Sequence, residues 1–417
     1  MVSIARKNLF EDIPRFLVAQ AGIMFAVSLV TIQTGIFNGV IRSTSLLVDN
    51  SRADIWVSSK RMVHLELTES ILFDHVVRSR KVNGVSRAEA LMTGVSRWQV
   101  PKGQLTVVKL WGFDPQGQLF VPGSVQKGSV SALQKPYTIL VDRSDLRSLR
   151  MKKLGDQGKI GSLPANLVGI AQDTQSVLSS AFLFASLKTV NAYNNSSVSS
   201  RVDCKLVSGE FKCTNVYERA KDSQDTGSSS VPEAQPISLN TPVSFILIKA
   251  KPGQDLQKLK QDLEAALPEI RAYTREELSQ KIRDYWQKRT GIGFILGLGA
   301  VVGMIVGVAI VGQILYSSVS DHIKEFGTLK AMGASNRVIY GVIVEQSLWM
   351  AVIGYVPGML LCWGLGNWTL ATQGIVILIT PVTAVGVFGV TVLMCVGSAL
   401  FAIQKVSHVD PAIVFKA

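Results

Sequence analysis

Residues 291–316 read GIGFILGLGAVVGMIVGVAIVGQILY and contain no charged side chain. An α-helix needs about 20 apolar residues to cross the hydrocarbon core of a bilayer, so this run alone predicts a transmembrane helix. Similar stretches recur along the chain, and the predicted spans cover residues 16–41, 290–316, 338–365 and 375–403. The sequence therefore predicts an α-helical membrane protein with four transmembrane helices.

The composition agrees with this class. Of the 417 residues, 47% are hydrophobic and 18% are charged, whereas a soluble protein carries roughly 25% charged residues. Residues 42–289, between the first two spans, form a polar block that is long enough for a domain with its own core. We predict a large α+β extracytoplasmic domain inserted between the first and second transmembrane helices, with a flexible, cysteine-containing insert near residues 193–240.

The basic residues of the short segments predict the orientation, because Lys and Arg favour the cytoplasmic side. Residues 1–15, 317–337 and 404–417 hold Arg6, Lys7, Arg15, Lys324, Lys330, Arg337, Lys405 and Lys416, whereas residues 366–374 hold none. Both termini and the 317–337 loop are thus predicted to be cytoplasmic, with an amphipathic helix at residues 1–15 and a tail at 404–417. Four cations on the outer side of the second span oppose the rule: Lys281, Arg283, Lys288 and Arg289.

The charge excess lies mostly in the inserted block. This block holds 35 of the 43 Lys and Arg residues and 24 of the 30 Asp and Glu residues, which is +11 of the formal net charge of +13. Because this charge lies outside the cytoplasm, nucleic acid is not expected as a partner. An acidic adaptor, anionic lipid headgroups or a negatively charged cell-wall polymer are the expected classes.

Two cysteines indicate an oxidising compartment. If Ser208-Gly209 forms a two-residue turn, Cys204 faces Cys213 at a non-hydrogen-bonded hairpin site, where Cα atoms approach to about 4.5 Å. This separation suits a disulfide, and disulfides persist outside the cytoplasm. We predict a Cys204–Cys213 disulfide, with two free thiols in a loop as the alternative.

The second span is predicted to continue a helix that begins outside the membrane. Thr274 and Glu277 read as a capping box, and with no proline before the membrane the helix would run from Arg275 to Tyr316, about 60 Å at 1.5 Å per residue. Such a rod is suited to carrying motion. Three glycines spaced by four predict close helix packing: Gly299, Gly303 and Gly307.

One acid lies within a predicted span. An intramembrane acid such as Glu345 is a candidate for a transport role. So close to the cytoplasmic end of the span, the alternative is a hydrogen bond to a neighbour or a side chain that reaches the membrane surface.

The cytoplasmic loop carries the most informative motif. It reads KEFGTLKAMGA over residues 324–334, Glu345 follows, and the tail reads VSHVDPA over residues 406–412. These residues resemble the FtsX/MacB-type permeases of ABC transporters, whose signature has the sense R-x-x-E-[IF]-G-x-L-[KR]-A-[LM]-G-A and whose tail ends V-x-x-x-D-P-x. Two shorter strings, at residues 110–115 and 140–143, look most like the cyanobacterial DevC-type permeases.

The resemblance implies a non-catalytic permease in the inner membrane, working as a homodimer with two copies of a separate ATPase. It implies mechanotransmission, with the loop as a coupling helix whose residues are Asp321, Ile323, Lys324, Glu325, Phe326, Gly327, Leu329, Lys330 and Gly333. DevC and MacB types export lipids, glycolipids, peptides or drugs with a periplasmic adaptor and an outer-membrane channel. FtsX types instead control cell-wall hydrolases, which is the alternative function.

Catalytic motifs are missing from the sequence. The string nearest to a phosphate-binding loop, at residues 155–160, lacks the first glycine and the Ser/Thr. The histidines have no metal-ligand spacing, and no nucleophile signature occurs. We expect no catalytic residue, metal or cofactor in this chain, and a membrane-bound enzyme is disfavoured.

Overall fold

A computed structural model describes residues 11–100, 105–174, 179–196, 198–207, 210–219, 234, 236–373 and 376–407. The chain divides into two compact units. Met1–Val40 and Thr290–Ala417 form one unit, called here the membrane bundle, and Ile41–Arg289 form the other, called here the inserted domain. The predicted amphipathic helix at residues 1–15 and the tail at 404–417 lie largely outside the described residues.

The helices in chain order are α1 (Ile13–Ser43), α2 (Leu46–Asp49), α3 (Phe73–Ser79), α4 (Leu187–Asn194), α5 (Leu256–Ala266), α6 (Arg275–Arg289), α7 (Ile292–Asp321), α8 (Ile323–Ala331), α9 (Asn336–Gln373) and α10 (Pro381–Ser407). Short 3-10 helices cover Val130–Gln134 and Arg143–Asp145. In the described part of the chain, four helices are long and apolar enough to cross a membrane: α1, α7, α9 and α10.

The helix α1 is the most deeply buried of the four. In the most apolar 18-residue stretch of α1, 50% of the stretch is buried inside the bundle, against 17% for the corresponding stretch of α7. Its buried side chains meet residues of α7, α9 and α10 in one apolar core, and they are Ala19, Ile23, Ala26, Val27 and Val30. The sequence of α1 is accordingly apolar on all sides, as expected for a helix surrounded by others.

The glycine row of α7 lies against α1. An ideal Cβ placed on Gly303 would come within 2.7 Å of Leu29 Cδ2, and one on Gly307 within 2.9 Å of Ala26 Cβ. A Cβ on Gly299 would clash with the Gln33 side chain. Small residues therefore permit the close approach of these helices, as in other membrane bundles.

The inserted domain is built on a mixed, ten-stranded sheet. The strands in chain order are β1 (Ile55–Ser59), β2 (Ile71–Leu72), β3 (Val85–Gln99), β4 (Thr106–Phe113), β5 (Ser124–Gly128), β6 (Thr138–Asp142), β7 (Gln157–Ile160), β8 (Leu163–Gln172), β9 (Ala181–Ser186), β10 (Val198–Val207), β11 (Glu210–Arg219), β12 (Pro242–Val243), β13 (Phe245–Ala250) and β14 (Ile270–Thr274). The order across the sheet is β14-β1-β13-β3-β4-β9-β6-β8-β5, and β7 pairs with both β3 and β8. The pairs β4–β9 and β6–β8 are parallel.

Both faces of this sheet are buried. Successive side chains of a strand point to opposite faces, and in β1 Ile55 and Val57 belong to one apolar core whereas Trp56 belongs to the other. Leu259 and Leu263 of α5 cover the first face. The second face is covered by α6 and α2, with the buried residues Leu278, Ile282, Leu47 and Val48. This explains why the strands are apolar on both sides.

The prediction of one continuous helix from Arg275 to Tyr316 is wrong. The structure ends α6 at Arg289 and begins α7 at Ile292, with Gly291 between them at φ +59°. This left-handed conformation terminates a helix and is readily adopted by glycine. The capping box at the start of α6 is confirmed, because Glu277 N donates to Thr274 Oγ1 at 3.2 Å and Thr274 N donates to Glu277 Oε2 at 2.9 Å.

A short strand precedes α3. Ile71 and Leu72 form β2, which pairs with β12, and α3 begins at Phe73. The pairing partner comes from residues 242–243, so the local apolar pattern could not reveal it.

The strands of the cysteine hairpin pair in the predicted register. In β10 and β11, Val207 lies opposite Glu210 and Cys204 opposite Cys213. The strands are ten residues each and thus longer than the sequence suggested. The predicted turn at residues 208–209 and most of the remaining 193–240 insert lie outside the described residues, and the disulfide remains a prediction.

We expect Gly307→Leu to destabilise the membrane bundle, because the new side chain would meet Ala26, whose Cβ cannot rotate away. Overpacking of this kind costs about 1–3 kcal/mol. The control is Gly297→Leu on the same helix, where a Cβ meets no described atom within 4 Å. Thermal unfolding of the purified protein measures both, and equal melting temperatures for the two variants would contradict the packing role.

The disulfide predicts a specific count of reactive thiols. The chain has four cysteines, of which Cys362 and Cys395 are buried and free. Alkylation in denaturant without reductant should therefore label two thiols, and prior reduction should raise the count to four. Mass spectrometry gives the count, and four labelled thiols before reduction would show that Cys204 and Cys213 are free.

Candidate functional site

The segment that joins α7 to α9 forms the candidate site. The helix α7 ends at Asp321, a single residue follows, and α8 spans Ile323–Ala331. Gly333 ends α8 in a left-handed conformation at φ +87°, and its N–H donates to Lys330 O at 3.0 Å. This short helix, bounded by two sharp changes of direction, is called here the coupling segment (residues 321–333).

One side of the coupling segment is anchored in the membrane bundle. Phe326 is 2% exposed and belongs to the bundle core together with Val319 of α7 and Ile339 of α9. Gly327 is also buried. Ile323, Leu329 and Lys330 are partly buried, so they lie at the border of this contact.

The opposite side of the coupling segment is open. Asp321, Lys324, Glu325 and Thr328 are exposed, and Met332 is exposed over 71% of its surface. The predicted coupling residues therefore fall into two groups. Phe326 and Gly327 are buried in the membrane bundle, whereas Lys324 and Glu325 face outward. Sequence reasoning missed Met332, although an apolar residue just before a helix-ending glycine was a usable signal.

Two charged contacts join the coupling segment to the start of α1. Arg15 forms an ion pair with Asp321 and a second one, at 3.0 Å, with Asp12. His322 Nδ1 donates to Ser318 O at 2.9 Å, and its Nε2 lies 3.3 Å from Glu11 Oε2. Burial is the largest single effect and lowers the pKa of the His322 imidazole, but the hydrogen bonds to Ser318 and Glu11 and the negative charges of Glu325 and Glu11 together raise the pKa above its ordinary value.

A small cavity of about 40 Å³ lies beside these contacts, and its lining includes Arg15, Ser318, His322 and Gln346. Gln346 is 2% exposed, and its Oε1 has no hydrogen-bond partner among the described residues. The neighbouring Glu345, predicted as an intramembrane polar residue, is only partly buried. Gln346 is therefore more deeply buried than the predicted Glu345.

A second polar cluster lies within the inserted domain and is called here the clamp (Ser45, Asp49, Ser279 and Arg283). Arg283 Nη2 and Ser279 Oγ donate to the Asp49 carboxylate at 2.9 and 2.5 Å. Arg283 Nε donates to Ser45 Oγ at 2.9 Å, and Ser45 Oγ donates to Asp49 Oδ2 at 2.8 Å. The clamp joins the segment that follows α1 to the helix that precedes α7.

The clamp also accounts for part of the charge that opposed the predicted orientation. The guanidinium of Arg283 is neutralised by Asp49. Lys281 Nζ donates to Tyr273 Oη at 3.0 Å and lies 4.9 Å from the centre of that ring. Two of the four cations before the second span, Lys281 and Arg283, therefore make contacts within the inserted domain. They are weak evidence about which side of the membrane this segment lies on.

In the described ranges, no group of three or more His, Cys, Asp or Glu side chains could hold a metal ion. Asp321 and His322 of the coupling segment and the residues of the clamp are engaged in ion pairs and hydrogen bonds between elements.

Comparisons with known proteins identify the family. Residues 16–266 match the family model described as MacB-like periplasmic core domain, and residues 297–411 match FtsX-like permease C-terminal. A relative, the uncharacterized ABC transporter permease MJ1507 of Methanocaldococcus jannaschii, is 25% identical over 124 residues, which is 28% of this chain and 30% of the relative. The chain thus matches about a third of the length of that relative.

Two solved structures are also similar to the chain. The periplasmic region of MacB from Actinobacillus actinomycetemcomitans is 12% identical, with a TM-score of 0.34, over 55% of this chain and 92% of that chain. The extracellular domain of the noncanonic ABC-type transporter YknZ from Gram-positive bacteria is 9% identical, with a TM-score of 0.33, over 53% of this chain and 99% of that chain.

The DevC-type likeness of residues 110–115 and 140–143 stays a prediction, since neither family model distinguishes that type. The broader resemblance is confirmed, because the first model covers more than half of the chain and the second covers most of the remainder. The chain belongs to the FtsX/MacB family of ABC transporter permeases.

Proposed function

We propose that this chain is the non-catalytic membrane subunit of an ABC-type efflux transporter, working as a homodimer in the inner membrane with two copies of a separate ATPase. The observation that carries the proposal is the two-sided coupling segment. Phe326 anchors it in the bundle, while Lys324, Glu325 and Met332 present a charged and apolar surface. Such a surface fits a groove on a soluble partner, which the predicted topology places in the cytoplasm.

In the proposed mechanism, a relay of contacts carries the motion of the ATPase to the inserted domain. Its first step is the movement of the coupling segment. Because Phe326 packs among side chains of α7 and α9, a displacement of α8 also displaces those helices. The ion pair between Arg15 and Asp321 extends the displacement to the start of α1. The helices α1 and α7 are the two that precede and follow the inserted domain in the chain. Both therefore move when the coupling segment moves.

The second step takes place at the clamp. Ser45 follows α1 by two residues, and α6 precedes α7. Because Asp49 binds Arg283 and Ser279 of α6, the two chain segments move together and not independently. This joint replaces the continuous rod expected from the sequence, since Gly291 interrupts that helix.

The proposed substrate is a lipid, a glycolipid or another amphipathic molecule, exported with a periplasmic adaptor and an outer-membrane channel. Support comes from the DevC-like strings at residues 110–115 and 140–143 and from the mechanical layout, which requires no passage through the protein. An FtsX-like regulator of a cell-wall hydrolase would use the same relay, so the transport measurement below separates the two.

Glu325→Lys combined with Met332→Asp should reduce the amount of ATPase that co-purifies with the tagged chain by about tenfold. The reason is that both changes fall on the exposed side of α8 and leave its anchor intact. The ATPase is recognised by mass spectrometry through its phosphate-binding-loop peptide, and efflux is measured as accumulation of lipid in cells.

The control for this variant is Glu276→Lys, which changes an exposed acid of the inserted domain. Phe326→Leu keeps an apolar anchor and should retain the ATPase. Unchanged co-purification in the double variant would contradict the coupling role. Retained ATPase activity with no lipid accumulation on deletion of the chain would favour the regulator.

Asp49→Asn or Arg283→Gln should each destabilise the inserted domain by about 1–3 kcal/mol, because the remaining partner stays partly buried without its ion pair. The double variant should lose less than the sum of the two, as expected for residues in contact. Thermal unfolding measures the stability, and efflux per ATP hydrolysed measures the coupling.

The exposed ion pair of Arg61 and Glu69, 3.1 Å apart, provides a matched control. Its removal should change the stability by less than about 1 kcal/mol and leave efflux unchanged. Full efflux in a clamp variant that still folds would show that the clamp is structural and does not transmit motion.

A further inference from the structure

A short loop of the inserted domain packs against α6, the helix that leads into the second span. This loop covers residues 62–67, shortly after β1, and is called here the docking loop. Two backbone hydrogen bonds close it into a tight turn, from Val63 N to Leu67 O at 3.0 Å and from Leu67 N to His64 O at 3.0 Å. The docking loop therefore has a defined shape, with one side toward the domain and the other toward solvent.

The inner side of the docking loop is fixed to the end of α6. Met62 and Leu65 are each 4% exposed and belong to an apolar core that α6 also enters. The ring of His64 stacks on that of Tyr285, with the centroids 4.5 Å apart, and meets the Trp286 ring edge-on at 5.3 Å. The loop and the last two turns of α6 thus form one packed unit.

The His64 imidazole packs here as an uncharged ring. Burial is the largest effect on its pKa and lowers it, Glu66 raises it, Lys109 lowers it, and the net result is a pKa below the ordinary value. Its Nδ1 accepts a hydrogen bond from Glu66 N at 3.3 Å, which requires that nitrogen to be unprotonated. A neutral ring is suited to a stack between aromatic side chains.

The outer side of the docking loop presents two neighbouring apolar side chains to solvent. Val63 is 41% exposed and Leu67 is 55% exposed, and the hydrogen bond between their backbones places them next to each other. The inner side is already filled by other residues of the loop, so this pair does not contribute to the domain core. Adjacent apolar side chains held on a rigid turn are a feature of interaction surfaces.

The end of α6 lies close, along the chain, to both transmembrane helices that flank the inserted domain. Trp286 is separated by four residues from Gly291, where the charge-free run begins. Even a fully extended chain covers at most about 18 Å over this interval, and the helical residues at the end of α6 shorten the distance. One turn earlier, Arg283 Nε donates to Ser45 Oγ at 2.9 Å, and Ser45 follows the end of α1 by two residues.

The end of α6 also carries the residue types that concentrate at membrane surfaces. Tyr285 and Trp286 are amphipathic aromatic residues, which are enriched at the level of the lipid headgroups. Lys288 and Arg289 follow them and are exposed, and cations at this level attract lipid phosphates. The docking loop adds an apolar pair to this aromatic and cationic segment.

We propose that the docking loop binds the surface of the lipid bilayer, with Val63 and Leu67 entering the headgroup layer on the side where the inserted domain lies. Lys288 and Arg289 then lie beside the lipid phosphates. The occupant is phospholipid because the loop is packed on the part of α6 that directly precedes a transmembrane helix. Removing apolar side chains from water stabilises the docked position. The proposal depends neither on the proposed export function nor on the orientation of the chain in the membrane.

The test measures the depth of a nitroxide at position 67 in the full chain, in nanodiscs of phosphatidylcholine and phosphatidylglycerol. Attachment through p-acetylphenylalanine avoids the native cysteines. Power saturation reports collisions with oxygen, which concentrates in lipid, and with a water-soluble nickel complex. We expect the label to lose access to the nickel complex and to gain collisions with oxygen. The reference labels replace Leu72 and Leu154, which are exposed leucines elsewhere in the inserted domain.

The two reagents distinguish lipid from protein as the cover of the docking loop. Loss of access to both oxygen and the nickel complex at position 67 would show that protein covers the loop, and it would overturn the proposal. Access to the nickel complex equal to that at the two reference positions would show that the loop lies in water, and it would also overturn the proposal.

A charge beside the label tests the insertion of the apolar pair. Val63→Glu should return the label at position 67 to the nickel complex, because a carboxylate is costly to remove from water. Leu154→Glu, an equally exposed change, should leave that label at its depth. Both variants should keep the melting temperature of the parent chain, and Leu67→Glu with the label at position 63 repeats the test in reverse. A label that stays shielded from the nickel complex beside either docking-loop glutamate would overturn the proposal.

Discussion

The Asp49 carboxylate is the contact that joins the two chain ends of the inserted domain to each other. It accepts hydrogen bonds from Ser45, Ser279 and Arg283, and these residues come from both ends of the inserted domain's chain. A domain inserted between two transmembrane helices is connected to them by two separate segments. If these two segments moved independently, a displacement of one transmembrane helix would move only its own connecting segment and not the inserted domain as a whole. In the proposed relay the charged clamp removes that freedom, and the hydrogen bonds from Ser45, Ser279 and Arg283 offset the cost of partly burying the Asp49 carboxylate.

Gly291 gives the clamp its importance. A continuous helix would transmit motion by stiffness alone, but the left-handed residue between α6 and α7 interrupts the helical hydrogen bonding. Nothing described lies within 4 Å of an ideal Cβ at this position, so packing does not explain the glycine, whereas its φ of +59° does. The chain therefore combines a break in one helix with a lateral contact that connects this helix to the other segment. In the proposed relay, force passes through the clamp and not along one continuous helix.

Local patterns in the sequence were sufficient for much of the fold. The charge-free runs gave the four long helices, the capping box gave the start of α6, and the hairpin gave the Cys204–Cys213 register. Each of these depends on residues close together in the chain. The break at Gly291 could not be predicted, because a glycine in this sequence is compatible both with a continuous helix and with a left-handed residue that ends one. The pairing of β2 with β12 was missed because its partner lies about 170 positions away.

The candidate site shows the same division between local and distant information. The motif at residues 324–334 located the coupling segment, but no local pattern identifies the helices against which its apolar side chain packs. Phe326 lies in the bundle because α7 and α9 supply its neighbours, and this leaves Met332, outside the predicted set, as the exposed apolar residue. Arg283 was noted only as an exception to the orientation rule. Its partner Asp49 is 234 residues away, and no sequence pattern links the two. The proposed relay therefore depends on residues whose partners are distant in the chain, since it must connect elements that the sequence separates.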